Sequence, residues 1–528
     1  MEEADFDPID LELFSNRLIA VAEEMGAVLQ QSAFSPNIRE RRDFSCALFD
    51  SAGDMVSHAA HIPVHLGSTP LAVRAAIDAV PMRQGDVVML NDPYAGGTHL
   101  PDVTLVAPVH MGGSTKPFAY VANRAHHADI GGSSPGSMPL ASEIYQEGLR
   151  IPPVLLCERG RFVDATLALF LANTRVREER LGDLDAQVAA LRTGLARLRE
   201  LAHRFDSRRL THAMAALQRY SALRVRAVLS RIPRGRWEAE DFLDGDGFGT
   251  EPVRIAVSVE RKGRRLLVDF SGSAGQVDGP VNANLAVTTS AVFYTLACVA
   301  GCDIPANRGL MEPVEIRARP GSIVNCRFPA AVSGGNVETS QRIVDVLFRA
   351  LAQALPDRIP AASSGTMSNL LLGGTDTIRG RSFAYYETIG GGAGGGPTGP
   401  GASALHTHMT NTLNTPVEAL EAYFPLRVRH YRVRVGSGGP GAHPGGEGID
   451  REIETLVDCQ LSLLADRRDQ GPYGLAGGGA GVPGRDSIFR NGEYHSIPAK
   501  ASLRLRAGEC IRIRSPGGGG WGEPRRDQ

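Results

Sequence analysis

Four glycine-rich segments constrain this chain more than any other feature. They are GGGAGGGPTGPGA (390–402), GSGGPGAHPGGEG (436–448), GLAGGGAGVPG (474–484) and SPGGGGWGEP (515–524). Glycine costs a helix about 1 kcal/mol per residue relative to alanine, so these stretches exclude helix from much of the last quarter. The segments between them read as short strands, which sets them apart from a Gly/Ser linker. Loops of close backbone approach are the alternative use of so much glycine. Trp521, set among glycines, marks the tail as a candidate partner contact, because tryptophan is a frequent interface anchor.

The rest of the chain reads as mixed α/β. Residues 8–32 carry an apolar face (Leu11, Phe14, Leu18, Val21, Met25, Val28), with Asp7 as N-cap and Pro8 at the first helical position. Alternation at Phe44, Cys46 and Leu48, followed by DSAGD, predicts a hairpin. GDVVMLNDPY, DVTLVAPVHM and PFAYVANRAHH predict buried strands. Residues 175–232 predict two amphipathic helices broken near Asp206-Ser207, an αα-hairpin insert with an Arg-rich outer face (Arg192, Arg197, Arg199, Arg208, Arg209). Asn336 is expected to cap the helix that follows it. The expectation is an α+β, multi-domain fold: 1–174 mixed α/β, 175–232 helical insert, 233–425 central α/β, 426–528 Gly-rich β-type.

Size and charge narrow the function. At 528 residues the chain exceeds one comfortable core. Fifty-six Lys+Arg against 58 Asp+Glu leave no basic excess for nucleic acid or an anionic membrane. The acidic start MEEADFDPID has no apolar run and no stretch reaches membrane-spanning length, so no signal peptide and no span are expected. Seven scattered cysteines without a C-x-x-C fit a reducing, cytoplasmic compartment. Cys298 and Cys302, four apart on an apolar helix, read as core packing. No Walker A motif, strand–GxGxxG–helix unit or internal repeat occurs, and neither Ser137 nor Ser333 carries a nucleophile signature.

Chemistry concentrates in NDPYAGGTHLPDVTLVAPVH (91–110) and RAHHADIGG (124–132). His99 and Asp102 bracket a proline, which makes that segment extended or turned. If the second segment stays extended, His127 and Asp129 share a face and join His99 and Asp102 as ligands, with His126 behind them. If it turns at Ala128, His126 and Asp129 converge instead. Neutral imidazoles with carboxylates suit Zn²⁺, Mn²⁺ or Fe²⁺ rather than Ca²⁺. His126 and Asp92 are the candidates for acid–base work. Gly96, Gly97 and Gly131 would let backbone approach a ligand, and His406 and His408 at strand spacing offer a wall of the same site. Any one of His58, His61 and His65 could complete it. Turn caps and a buried polar network are the competing use of the same groups.

The motifs NDPYAGGTHLPDVTLVAPV, RAHHADIGGSSPGSMP, IYQEGLRIPP, SGSAGQVDGPVNAN, VSGGNVETSQRIVDVL and HTHMTNTLNTPVEALE resemble the hydantoinase B family, in order and over essentially the whole chain. The resemblance implies half an enzyme, working with a hydantoinase A-type ATPase of the actin/acetate-kinase type that binds ATP-Mg. Its relatives include N-methylhydantoinase, the C-terminal half of 5-oxoprolinase and subunits of acetone and acetophenone carboxylases. It implies an ATP-dependent hydrolase acting on C–N bonds of cyclic amides, in a hetero-oligomer of dimeric pairs. A ketone carboxylase subunit and a non-catalytic scaffold are the alternatives. The acetone carboxylase branch carries Mn on His and carboxylate ligands, which supports a divalent metal here.

Overall fold

The computed structural model describes residues 6–301 and 304–524, so Cys302 lies outside the described residues. Helix α1 (Pro8–Ser32) starts as the sequence requires, with the Asp7 carboxylate accepting from Ile9 N–H and proline in the first turn. Its buried face is Phe14, Leu18, Val21, Met25 and Leu29. A short α2 (Pro36–Arg39) leads into the first sheet. Strands β1 (Phe44–Asp50), β2 (Met55–His58), β3 (Val87–Leu90), β4 (Asp102–Val109), β5 (Ala119–His126), β6 (Val154–Glu158) and β7 (Arg161–Phe162) pair antiparallel in the order β2-β1-β5-β4-β3-β6-β7.

Both faces of this sheet are covered, so β4 and β5 are buried at every residue. Helix α3 (Ser68–Ala79) follows β2. The short α4 (Ile144–Glu147) and α5 (Asp164–Ala172) flank β6 and β7. Helices α6 (Arg177–Phe205) and α7 (Ser207–Arg231) form the αα-hairpin, and Asp206 caps α7 at φ +67°. The hairpin does not stand apart from the sheet. Gln187 of α6 donates to Val103 O and Asn123 Oδ1, and Asn123 Nδ2 donates to Gln187 O. Leu105 and Val121 pack with α1 and α6 residues such as Met25 and Leu191 on this side. Val106 and Ala122 on the opposite side meet α3 and α8 (Leu285–Ala300).

The second sheet, β11-β10-β9-β8, comprises β8 (Gly235–Leu243), β9 (Val253–Lys262), β10 (Arg265–Asp269) and, after the short α9 (Arg308–Met311), β11 (Val314–Arg317). Helix α10 (Ser340–Ala352) packs on β8 and β9. Asn336 does not cap it: a π-helical turn over Gly335–Thr339 leads in, and Asn336 lies inside that turn. Cys298 is on the exposed side of α8, not in the core. Two further sheets follow, with the short α11 (Val417–Tyr423) between their strands. One, β13-β12-β16-β19, uses β12 (Asn369–Asp376), β13 (Arg381–Glu387), β16 (Cys459–Leu464) and β19 (Lys500–Leu505). The other, β14-β15-β20-β17-β18, uses β14 (Leu426–Arg434), β15 (Gly448–Thr455), β17 (Arg485–Arg490), β18 (Glu493–Ile497) and β20 (Cys510–Arg514).

The glycine segments pack on one another through bare backbone. Residues 515–520 are buried at the centre. Gly395 N–H donates to Gly519 O, Gly439 N–H to Gly518 O, Gly518 N–H to Gly446 O and Gly520 N–H to Gly479 O. A Cβ on Gly518 would sit 1.9 Å from Ala393 O, and one on Gly517 2.0 Å from Ser437 O. The glycines therefore serve chain-to-chain contact inside the protein. Trp521 bridges to His443 and Leu475 within the same assembly, with its Nε1 buried.

Candidate metal centre

The antiparallel register of β4 and β5 sets Asp102 directly opposite His126. Both are on the face shared with Thr104 and Arg124, whose guanidinium donates to Thr104 Oγ1 and to Ser68 Oγ of α3. His99 enters from the loop before β4. Asn284, the N-cap of α8, fixes that loop by donating to Gly97 O and Thr98 O while accepting from Val287 N–H. His65, from a 3-10 turn over Pro63–His65, comes in beside them.

The result is a triangle of potential ligand atoms. His99 Nε2 is 3.2 Å from His126 Nδ1 and 3.3 Å from Asp102 Oδ1, and His126 Nδ1 is 3.4 Å from the same oxygen. Ligands about 2.1 Å from one ion stand about 3.0–3.4 Å apart in octahedral or tetrahedral geometry. The three atoms have that spacing, and His99, Asp102 and His126 form the metal-competent group among the described residues. The far ring nitrogens, His99 Nδ1 and His126 Nε2, are buried without a hydrogen bond.

The charge states suit ligation. Burial pushes the Asp102 carboxyl up, but the facing His99 and His65 and hydrogen bonds from His126 and His65 outweigh it, and it lies well below the usual range. His126 is pushed down by burial, against the pull of Asp102, so its imidazole is neutral at neutral pH. Asp102 Oδ2 is held by Thr98 Oγ1–H and faces His65 Nε2 at 3.3 Å, which leaves Oδ1 for the triangle. The His126 ring stacks on Tyr386 at 4.4 Å and 15°, and Arg41 lies 4.7 Å from the same phenol ring.

These groups line a cavity of ≈ 20 Å³. That is room for about one water-sized species. Asp43, Asn336, Thr388 and Thr410 supply its other polar groups, with Val64, Met367 and Met409 among the apolar ones. Asn336 Oδ1 is buried and unpartnered. Sequence reasoning missed Asn336, Tyr386 and Thr410, which pattern alone does not bring near residue 100.

The other expected site residues are elsewhere. β5 ends at His126, so His127 points to the opposite face, where its Nε2 meets Gln187 Oε1 at 2.9 Å and its ring abuts Phe170. Asp129 holds a turn, accepting from Gly131 and Gly136 N–H and from Arg175 at 2.8 Å. Asp92 accepts from Tyr94 N–H and lies 3.7 Å from Arg150. Gly96, Gly97 and Gly131 are spaces for backbone, not ligand: a Cβ would meet Leu71 C, Asn91 O and Asn173 O within 2.4–2.5 Å. His406 is one layer behind the cavity at Thr388, with burial pushing it down to about 4. His408, at φ +57°, faces Asp345. His61 packs on Phe44 and is pushed down to about 3 by burial, and His58 turns to Ala59 O. Of the three upstream histidines, His65 alone joins the group.

A family model described as Hydantoinase B/oxoprolinase matches residues 7–524. An uncharacterized protein of Methanocaldococcus jannaschii is 40% identical over 98% of this chain and 91% of its own length. The 5-oxoprolinase of Dictyostelium discoideum is 38% identical over 98% of this chain, which spans 40% of that longer protein. Among solved structures, the ATP-dependent caprolactamase of Pseudomonas jessenii superposes with a TM-score of 0.92 at 28% identity, covering 99% of this chain and 92% of that one. No helix among the described residues is long and apolar enough to cross a membrane. The chain belongs to the hydantoinase B/oxoprolinase family.

Proposed function

We propose that this chain is one subunit of an ATP-dependent hydrolase that opens the C–N bond of cyclic amides, with an ATPase partner supplying ATP-Mg. The observation that carries the reading is the buried His99–Asp102–His126 triangle in a chain whose relatives include a 5-oxoprolinase and a caprolactamase. The same reading makes the chain half of a cytoplasmic hetero-oligomer.

His99 Nε2, Asp102 Oδ1 and His126 Nδ1 would hold one divalent ion of intermediate hardness, Mn²⁺, Zn²⁺ or Fe²⁺. Such an ion polarises a carbonyl oxygen or lowers the pKa of a water. The chain's own residues prepare the place. Thr98 and His65 fix the Asp102 carboxylate, Tyr386 holds the His126 ring flat, and the apolar wall excludes bulk water. Asn336, with its free carbonyl oxygen, is a polar wall group left to orient an amide. A ring-sized substrate exceeds the cavity, so its reacting carbonyl alone enters unless the walls part.

The test is ADP release by the chain co-expressed with an ATPase partner, offered hydantoins, 5-oxoproline, caprolactam and ketones, with and without bicarbonate. Ring-dependent ADP release with ring-opened product is the expected result. ADP release that requires bicarbonate and a ketone replaces the hydrolase reading with a carboxylase. Turnover that survives Asp102→Ala shows the triangle to be a scaffold feature.

A further inference from the structure

Two buried atoms near the triangle lack partners, and they belong to different motifs. His99 leaves Nδ1 without a hydrogen bond, and Glu147 leaves Oε2 without one. Glu147 is fully buried at the end of α4, in the IYQEGLRIPP segment, to which the chemistry above gives no role. Its other oxygen, Oε1, accepts from Val332 N–H at 2.9 Å and Ser333 N–H at 2.8 Å. That clamp fixes which way the free oxygen faces.

Three loops are stitched together here. Asn91 Nδ2 donates both to Leu100 O, next to His99, and to Leu149 O, two residues past Glu147. Tyr94 OH donates to Ala330 O, just before the clamped peptide units. The Ser333 hydroxyl is beside the Glu147 carboxyl, yet makes no hydrogen bond of good geometry. A histidine that presents one nitrogen to a metal regularly donates the other N–H to a carboxylate or a water, which fixes its tautomer and ring plane.

We propose that Glu147 is the positioning residue for His99: its free Oε2 accepts, through one bridging water, the Nδ1–H of His99, and so turns Nε2 toward Asp102 and His126. The inference rests on the metal-holding role proposed for His99. It ties together three separate motifs, those of His99, Glu147 and Ser333.

Glu147→Gln is the discriminating variant. Its side-chain oxygen still accepts from Val332 and Ser333 N–H, but an amide NH₂ then faces the water that bridges to His99. Equilibrium titration of the full-length chain with Mn²⁺ alone should show affinity weakened by about 10–100-fold, the usual cost of losing such a partner. The melting temperature of the chelator-treated protein should stay close to that of the parent, which a purely structural role would not allow. Unchanged Mn²⁺ affinity overturns the proposal. A crystal structure of the parent chain decides the matter even where E147Q does not fold. One ordered water within about 3.2 Å of both Glu147 Oε2 and His99 Nδ1 is expected. A gap with no shared water overturns it. Failure of the parent chain to bind any divalent metal defeats the metal reading, while the crystallographic contact still tests this one.

Discussion

Asp102 and His126 are direct partners across the β4–β5 ladder, and their Oδ1 and Nδ1 atoms stand 3.4 Å apart on the face turned to α3. The ladder, not a flexible loop, sets that separation, because opposed residues in an antiparallel pair hold their Cβ atoms about 4.5–5.5 Å apart. Both strands are buried along their whole length, so the pair is held from both sides of the sheet. His99 then needs only the short loop before β4, tied down by Asn284, to close the triangle.

Asp102→Asn therefore tests the charge while keeping the shape. The amide can still meet Thr98 and His65, so the fold should persist by circular dichroism. Elemental analysis after gel filtration should find metal content falling from about one equivalent to below about 0.1, as expected when the anionic ligand of an N/O set is lost. Retention of metal at the parental level would remove Asp102 from the ligand set.

His127→Ala should behave in the opposite way. His127 is on the α6 side of the sheet, joined to Gln187 and edge-on to Phe170. Its loss empties a buried polar contact and leaves Gln187 Oε1 without its partner. The cost should be about 1–3 kcal/mol of stability. Metal content should not change. Lower metal content with an unaltered denaturation midpoint would return His127 to the ligand set.

The contrast between these neighbours shows how far the sequence reaches. That NDPYAGGTHLPD and RAHHAD meet was legible, because both flank strands of evident apolar character. Which histidine faces the site was not. Alternation places His126 and His127 on opposite faces, and the choice depends on which face carries α3 and the His65 turn, which packing decides and the local pattern does not. Asp129 followed His127 into the expected set by the same alternation, yet the strand ends at His126 and the turn that follows takes its carboxylate. Asn336 read as a helix cap because Asn before an apolar helix usually is one. A π-helical turn, invisible to a 3.6-residue period, carries it into the cavity wall instead. The glycine clusters announced close approach but not its target. The neighbours of Gly518 come from segments about 70 to 125 residues away.

Glu338, in that π-helical turn, should make stability fall with rising pH. Burial and then the charge of Asp466 raise its carboxyl from 4.5 to about 8. The unfolded side chain is ionised above about 4.5. The folded one keeps its proton until about pH 8, so folding takes up a proton in between and stability drops as pH rises through that window. Gln in its place carries no proton to take up, and its oxygen still accepts from Met367 N–H and Asn369 Nδ2. Urea midpoints should show Glu338→Gln more stable than the parent at pH 8 by about 1–3 kcal/mol, with the advantage vanishing near pH 5. A variant less stable at pH 8 would mean that Arg468 and Lys500 hold Glu338 ionised.

The glycine assembly gives a paired prediction, because its members differ in the space around them. A Cβ on Gly518 would sit 1.9 Å from Ala393 O and 2.3 Å from Ala393 C, both backbone atoms that cannot swing aside. Gly399, in an equally glycine-rich stretch, would have nothing within 4 Å of an added Cβ and has no positive φ. Gly518→Ala should therefore force apart the hydrogen bonds from Gly439 N–H to Gly518 O and from Gly518 N–H to Gly446 O. The loss should exceed about 4 kcal/mol, enough to leave little folded protein. Gly399→Ala should change the midpoint by no more than about 0.5 kcal/mol. Removing everything after Gly436 deletes this central segment together with β15 to β20, so that truncation should abolish folding and not merely partner binding. Soluble expression and urea midpoints of the two point variants distinguish the outcomes. A Gly518→Ala chain as stable as Gly399→Ala would show that the segments hold one another loosely.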